Sequence, residues 1–205
     1  MKKIFIHPLP ERFWHWIHVS LILLLLFSGF HIHFPEFFKV FGNMRVAVAV
    51  HNFAGVVLVI DYLFWLIYNS FVKDILQYFP TPSDLFKGML IQARFYLFGI
   101  FRGEPHPFET HRKAKFNPMQ KIAYFFVMVI FLPLQMASGI LMLSPLRFAG
   151  VINALGGLRN VALFHTALAY VFAAFVLVHI YLATTGDKVS SLFKAMITGY
   201  EERVH

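Results

Sequence analysis

Cysteine does not occur in the 205-residue sequence. Its absence excludes disulfides, thiolate zinc sites, cysteine-ligated iron–sulfur clusters and the C-x-x-C-H attachment of c-type haem. Any metal held by the chain rests on His, Met, carboxylate or backbone ligands. Charge is scarce as well: 14% of the residues are charged, against about a quarter in water-soluble domains. No repeat of about 20 to 50 residues and no linker interrupts the chain, which reads as one domain over 1–205.

What is abundant is apolar surface, at 59% of residues. Runs of about 20 apolar residues, enough to cross a bilayer, predict spans at about 13–34, 46–69, 120–143 and 160–183. The first is too long for a signal peptide and has no small-residue cleavage site after it. The expected fold is an all-α integral membrane protein, an antiparallel bundle of four transmembrane helices. Lys and Arg mark the cytoplasmic side of short loops. They gather at the N-terminus (Lys2, Lys3, Arg12), in the 70–119 connection (among them Lys73, Lys87, Arg94, Arg102, Arg112, Lys113, Lys115) with Lys121, and in the tail (Lys188, Lys194, Arg203). The other two loops hold only Lys39, Arg45, Arg147 and Arg159. Both termini and the long connection are therefore expected in the cytoplasm, and membrane orientation, not nucleic acid, accounts for the net charge of +8.

Outside the spans, 82–101 has a capping-type start and helical spacing of apolar residues, predicting an amphipathic helix on the cytoplasmic face. Residues 101–121 read as a polar, Pro-containing loop, and the tail 187–205 as a second interfacial helix. Pro133 is expected to kink the third span. The small residues Ser28–Gly29, Ala54–Gly55 and Ala137–Gly139 lie within spans. They suit close helix packing or room for a flat ligand between helices.

Eleven histidines are many for so apolar a chain, since ionisable groups within a membrane are costly. His165 and His179 are fourteen residues apart on the fourth span, which places them on one face and about 21 Å apart along it. His51, near the outer start of the second span, is level with His165. His15, at the first turn of the first, is level with His179. Two depth-matched pairs on facing helices suit bis-histidine ligation of two haem irons, an electron path across the bilayer. A zinc or proton-relay site would gather its histidines instead of dividing them between two surfaces. His18 is one turn beyond His15, and depth does not choose between them. His31 and His33 end the first span and read as solvated interfacial residues. His7, His106, His111 and His205 read as surface residues, with a quinone-side role as an alternative for His106 and His111.

The segments "ERFWHW", "HNFAG", "KFNPMQK", "HIYLATTG" and "KAMITGYEE" resemble the bacterial di-haem cytochrome b membrane subunits: the formate dehydrogenase gamma subunit and the cytochrome subunits of nickel–iron hydrogenase and thiosulfate reductase. The resemblance covers about residues 7–203. It implies His15, not His18, as ligand, pairing His15 with His179 at an inner haem b and His51 with His165 at an outer one. It implies a site for menaquinone or ubiquinone beside the inner haem, with Asn117, Gln120 and Lys121 as contacts. Asn117–Pro118 is equally a helix N-cap followed by Pro at the first helical position. Asp61, deep in the second span, departs from the resemblance. A buried acid there is either a proton relay or a neutral, hydrogen-bonded group.

The function so implied is that of a quinone-reactive cytochrome b subunit in a bacterial inner membrane, surrounded by lipid. Lacking cysteine, it would need another polypeptide, a periplasmic iron–sulfur or multihaem subunit with its catalytic subunit, to deliver or accept electrons. The rival readings are a stand-alone di-haem oxidoreductase of superoxide or ferric reductase type and a haem-free transporter or anchor.

Overall fold

The first helix, α1 (Leu9–His33), starts after Pro8 in extended conformation and carries Pro10 in its first turn, where a missing N–H costs nothing because first-turn donors have no helical partner. At α2 (Met44–Phe71) the Asn43 side chain accepts the Val46 N–H at 3.0 Å. The computed structural model describes residues 2–186 and 188–203, apart from the side chains of Lys2 and Arg203. Of the tail, Asp187, Val204 and His205 lie outside the described residues.

Among the described residues, four helices are long and apolar enough to cross a membrane: α1, α2, a third over Pro118–Leu143 and a fourth over Leu158–Ala183. Between α2 and the third lie a 3-10 turn, Asp74–Tyr78, and a helical stretch centred on α3 (Met89–Arg94). Wider π-helical turns flank α3 at Asp84–Gly88 and Phe95–Gly99. The third long helix, α4, begins with a capping box in which Asn117 and Gln120 satisfy each other's backbone N–H groups. Pro133 acts on α4 through a π-helical run, Phe125–Phe131, just ahead of it; a proline has no N–H to keep the i→i−4 ladder going. A short helix, α5 (Ala149–Ala154), leads through Gly156 and Gly157, at φ +84° and +99°, into α6 (Leu158–Ala183). Those left-handed conformations suit glycine.

Helix α1 packs along α2 and α4 along α6, with fewer close approaches between the two pairs. Leu21, Ala54, Leu58, Trp65, Met128, Leu132, Leu168 and Phe172 form the buried core. Outward faces are apolar, as at Phe53, Ile60 and Leu177, which suits contact with lipid. The expected amphipathic segment is helical over 84–102, and its polarity is arranged for a membrane surface. Asp84, Gly88, Gln92 and Gly99 face the protein, while Phe86, Leu90, Leu97 and Phe101 face outward.

The tail differs from expectation. Only α7 (Ser191–Thr198) is helical; Tyr200–Arg203 forms β2, which pairs antiparallel with β1 (Lys2–Phe5). Strands this short and this far apart in sequence leave no local hydrophobic period to read. Their pairing brings both ends of the chain to one end of the bundle, hereafter the terminal end; the opposite one is the loop end. At the terminal end Lys115, 2% exposed, binds Glu11 of α1 and, at 2.9 Å, Asp74, which also pairs with Arg112. Burial pushes the Asp74 carboxyl up, but Arg112 and Lys115 outweigh it and hold the group below 3.8.

Candidate functional site

At the loop end, the ring of His51 on α2 faces that of His165 on α6, with centres 6.2 Å apart. At the terminal end, His15 on α1 faces His179 on α6 at 6.4 Å. A metal–imidazole bond runs about 2.0–2.1 Å and a ring nitrogen lies about 1.1 Å from the ring centre, so two imidazoles flanking one metal have centres about 6.2–6.4 Å apart. Both pairs fit that spacing. Among the described residues no group of three or more His, Cys, Asp or Glu is placed to hold a metal ion. Two facing histidines would suit a metal whose remaining ligands come from a macrocycle, as in haem.

The tautomers of the loop-end pair follow from their neighbours. The Ser28 hydroxyl donates to the Leu24 carbonyl at 2.6 Å and lies 2.9 Å from Nδ1 of His51. The Ser138 hydroxyl donates to the Gln135 carbonyl at 2.9 Å and lies 2.9 Å from Nδ1 of His165. A hydroxyl has one hydrogen. With that hydrogen on the carbonyl, each serine accepts from its ring, so Nδ1 carries the proton and Nε2 keeps the lone pair a metal needs. Gln135 Nε2 lies 3.2 Å from Nε2 of His165, a donor facing that lone pair. The adjacent glycines make room: a Cβ at Gly29 would stand 3.4 Å from Cε1 of His51, and one at Gly139 3.3 Å from Cε1 of His165. The sequence signal for these serines is the repeated Ser–Gly pair, which small-residue packing alone accounts for until their distances to the rings are known.

At the terminal end, Phe175 stacks on His179 at 5.6 Å and Tyr124 meets it edge-on at 6.3 Å. Among the described residues His15 Nδ1 is buried with no hydrogen-bond partner. His18 turns to α2 instead, where its Nδ1 lies 2.7 Å from Oδ2 of Asp61. The two histidines that depth left unseparated are thus separated by partner.

Asn117, Gln120 and Lys121 share one corner at the start of α4. Besides the capping box, Asn117 Nδ2 donates to the Tyr96 hydroxyl at 3.1 Å, and Lys121 Nζ to Asp84 at 3.1 Å. Burial pushes the Tyr96 phenol up, with Asn117 and Gln92 pulling against it, so it stays protonated at neutral pH. No pattern in the sequence singled out Tyr96 or Gln92.

Of the remaining histidines, His33, His106 and His111 are exposed as expected. His31 is not: it is 2% exposed, and its Nδ1 accepts the Phe41 N–H, pinning the first loop. The chain folds back over the end of α1 and removes that ring from solvent. His7 is half-buried, 3.5 Å from Glu11.

A model of the family described as "Prokaryotic cytochrome b561" matches residues 6–199. The chain is 36% identical over 200 residues to "Putative cytochrome YdhU" of Escherichia coli strain K12, covering 97% of this chain and 75% of that protein. It is 25% identical to "Formate dehydrogenase, cytochrome b556 subunit" of Haemophilus influenzae, covering 88% and 71%. To "Probable Ni/Fe-hydrogenase B-type cytochrome subunit" of Cupriavidus necator it is 22% identical, covering 98% and 87%.

Proposed function

The chain belongs to the prokaryotic cytochrome b561 family, and from that premise we propose that it is the quinone-reactive di-haem subunit of a respiratory membrane oxidoreductase. Membership implies haem b. The observation that supports two haems is the pair of facing imidazoles at each end of the bundle, 6.4 and 6.2 Å between centres. His15 and His179 would hold the terminal-end haem, and His51 and His165 the loop-end haem. When bound, haem supplies one-electron ferric–ferrous chemistry. The chain's own residues do the rest. Ser28 and Ser138 fix their rings with Nε2 unprotonated, Phe175 braces His179, and the apolar core excludes water.

The Lys and Arg enriched at the terminal end support a cytoplasmic position for it, in a bacterial inner membrane. Quinone would bind there, taking hydrogen bonds from Asn117, Gln120 and Lys121, with His179 and Tyr124 nearby. The loop end would meet a periplasmic iron–sulfur or multihaem subunit, since this chain has no cysteine to hold a cluster and relatives are named as hydrogenase and formate dehydrogenase subunits.

The test is a reduced-minus-oxidised spectrum of the purified protein with haem counted by pyridine haemochrome. Two b-type haems are expected in the wild type and in His18→Ala, and one in His15→Ala and in His51→Ala. Haem content indifferent to His15 and His51 would overturn the ligand scheme.

A further inference from the structure

The His18–Asp61 pair takes no part in holding iron or quinone in this reading, yet it lies within the apolar segments. Nδ1 of His18 and Oδ2 of Asp61 are 2.7 Å apart, with side chains 15% and 6% exposed. His18 stands nine residues into α1 and Asp61 ten before the end of α2, so both sit about 13–15 Å from the terminal ends of their helices. The Trp14 ring covers His18 at 4.9 Å, and Trp65, one turn from Asp61, lies 6.2 Å from Trp14. Indoles, not cations, cover the pair. The nearby cations Lys115 and Arg112 are engaged by Glu11 and Asp74 at the polar boundary.

A histidine and a carboxylate in contact carry a net charge of −1, 0 or +1 according to whether they share no, one or two added protons. A change of charge close by shifts that balance. His18 is three residues, less than one turn, from His15, whose ring faces His179. An electron arriving between those two rings adds negative charge within reach of the pair.

We propose that the His18–Asp61 pair is the proton-accepting partner of the terminal-end redox centre. With each electron that reaches the centre it takes up one proton from water on that side, and it releases the proton when the electron leaves. Iron passes from ferric to ferrous, the pair gains one N–H or O–H bond, and the net charge of the site is unchanged. The electron comes from the loop-end centre or from quinol in the membrane and from dithionite or reduced methyl viologen in the assay. The inference rests on iron ligation by His15 and His179. Other titratable groups on the surrounding elements are accounted for. His15 and His179 face each other, Glu11 is held by Lys115 and His7, and the Tyr62 ring packs on Trp65 at 5.3 Å.

The experiment is a potentiometric titration of the purified holoprotein between about pH 5.5 and 9, in the wild type, Asp61→Asn, His18→Gln and His51→Ala. In the wild type, one of two haem potentials falls with rising pH by up to about 59 mV per unit, one proton per electron, and the other stays level. His51→Ala, which removes the loop-end haem, keeps the sloping component. Asp61→Asn and His18→Gln flatten it with both haems still bound. If either variant loses haem, proton uptake by a pH-indicator dye during reduction of His51→Ala by reduced methyl viologen, which gives up its electron without a proton, decides. About one proton per haem supports the proposal and none overturns it. Two bound haems with a slope unchanged in both pair variants, or level potentials in the wild type, also overturn it. A chain that binds no haem would instead defeat the ligation reading, and this inference with it.

Discussion

The Ser138 hydroxyl stands midway in a relay, 2.9 Å from Nδ1 of His165 and 2.9 Å from the Gln135 carbonyl to which it donates. Its role is orientational: it fixes which nitrogen of His165 bears hydrogen. Ser138→Ala removes the acceptor and leaves the ring free to turn. Haem retention at the loop end is then expected to weaken about 10–100-fold, the usual cost of removing a partner that orients a metal-binding histidine. Ser28→Ala should do the same through His51. Haem transfer to an apoprotein acceptor measures the loss, and the terminal-end haem serves as internal control.

Gly29 and Gly139 test the same centre by volume. A methyl at either place comes within 3.3–3.4 Å of a ring carbon, so Gly139→Ala is expected to be tolerated with a small shift of the ring. Gly139→Val cannot be absorbed that way and should reduce haem content from the proposed two per chain to one, without loss of helical circular dichroism.

Lys115 is buried between two carboxylates. Lys115→Met leaves Asp74 to Arg112 and Glu11 to His7 alone and is expected to cost about 3 kcal/mol, read from chemical unfolding. Acid should weaken the same corner in the wild type. Asp74 has its folded value below the ordinary 3.8, so its contribution is complete above 3.8 and fades as pH falls through the lower folded value. Proteolysis of the 70–119 connection by an acid protease should accelerate in that window, and less so in Asp74→Asn.

Asn117 has a capping role and a proposed quinone role, and one substitution separates them. Asn117→Ser keeps a cap and loses the amide donor, so stability should stay within a few tenths of a kcal/mol while Asn117→Ala loses about 1 kcal/mol. Haem reduction by a soluble quinol should slow in both, by about tenfold for one lost hydrogen bond. Unchanged reduction in Asn117→Ser would leave Asn117 its cap and its bond to Tyr96, with no part in quinone binding.

Much of the fold was legible because a bilayer demands long apolar runs, and four of them stand in the sequence. The facing of His165 with His51 was legible too, since fourteen residues on a helix return to nearly the same face; at the other end that spacing left His15 and His18 open opposite His179, and only the resemblance pointed to His15. What escaped were relations between distant segments with no period of their own. The strand pair of Lys2–Phe5 and Tyr200–Arg203 is one. The burial of His31 is another, because it depends on how residues 34–43 fold back. Asp61 stood out as a buried acid, but its partner was decided by the rotation of α1 against α2, which apolar pattern alone leaves open. In the Ser–Gly pairs the glycine was readable as space, while the serine's task required the position of a ring on another helix.

The pairing of β1 with β2 bears on how the molecule is made. Translation delivers β1 before every other described element and β2 after all of them, and chains fold from the N-terminus as they emerge. The two strands can meet only when the fourth span has returned to the starting side, so their union is a late event that reports completed insertion. Until then the backbone edge of β1 is unpaired, a template for unwanted association. A chain stalled or inserted with one span misplaced keeps that edge open, giving proteolytic surveillance a local mark of an unfinished molecule.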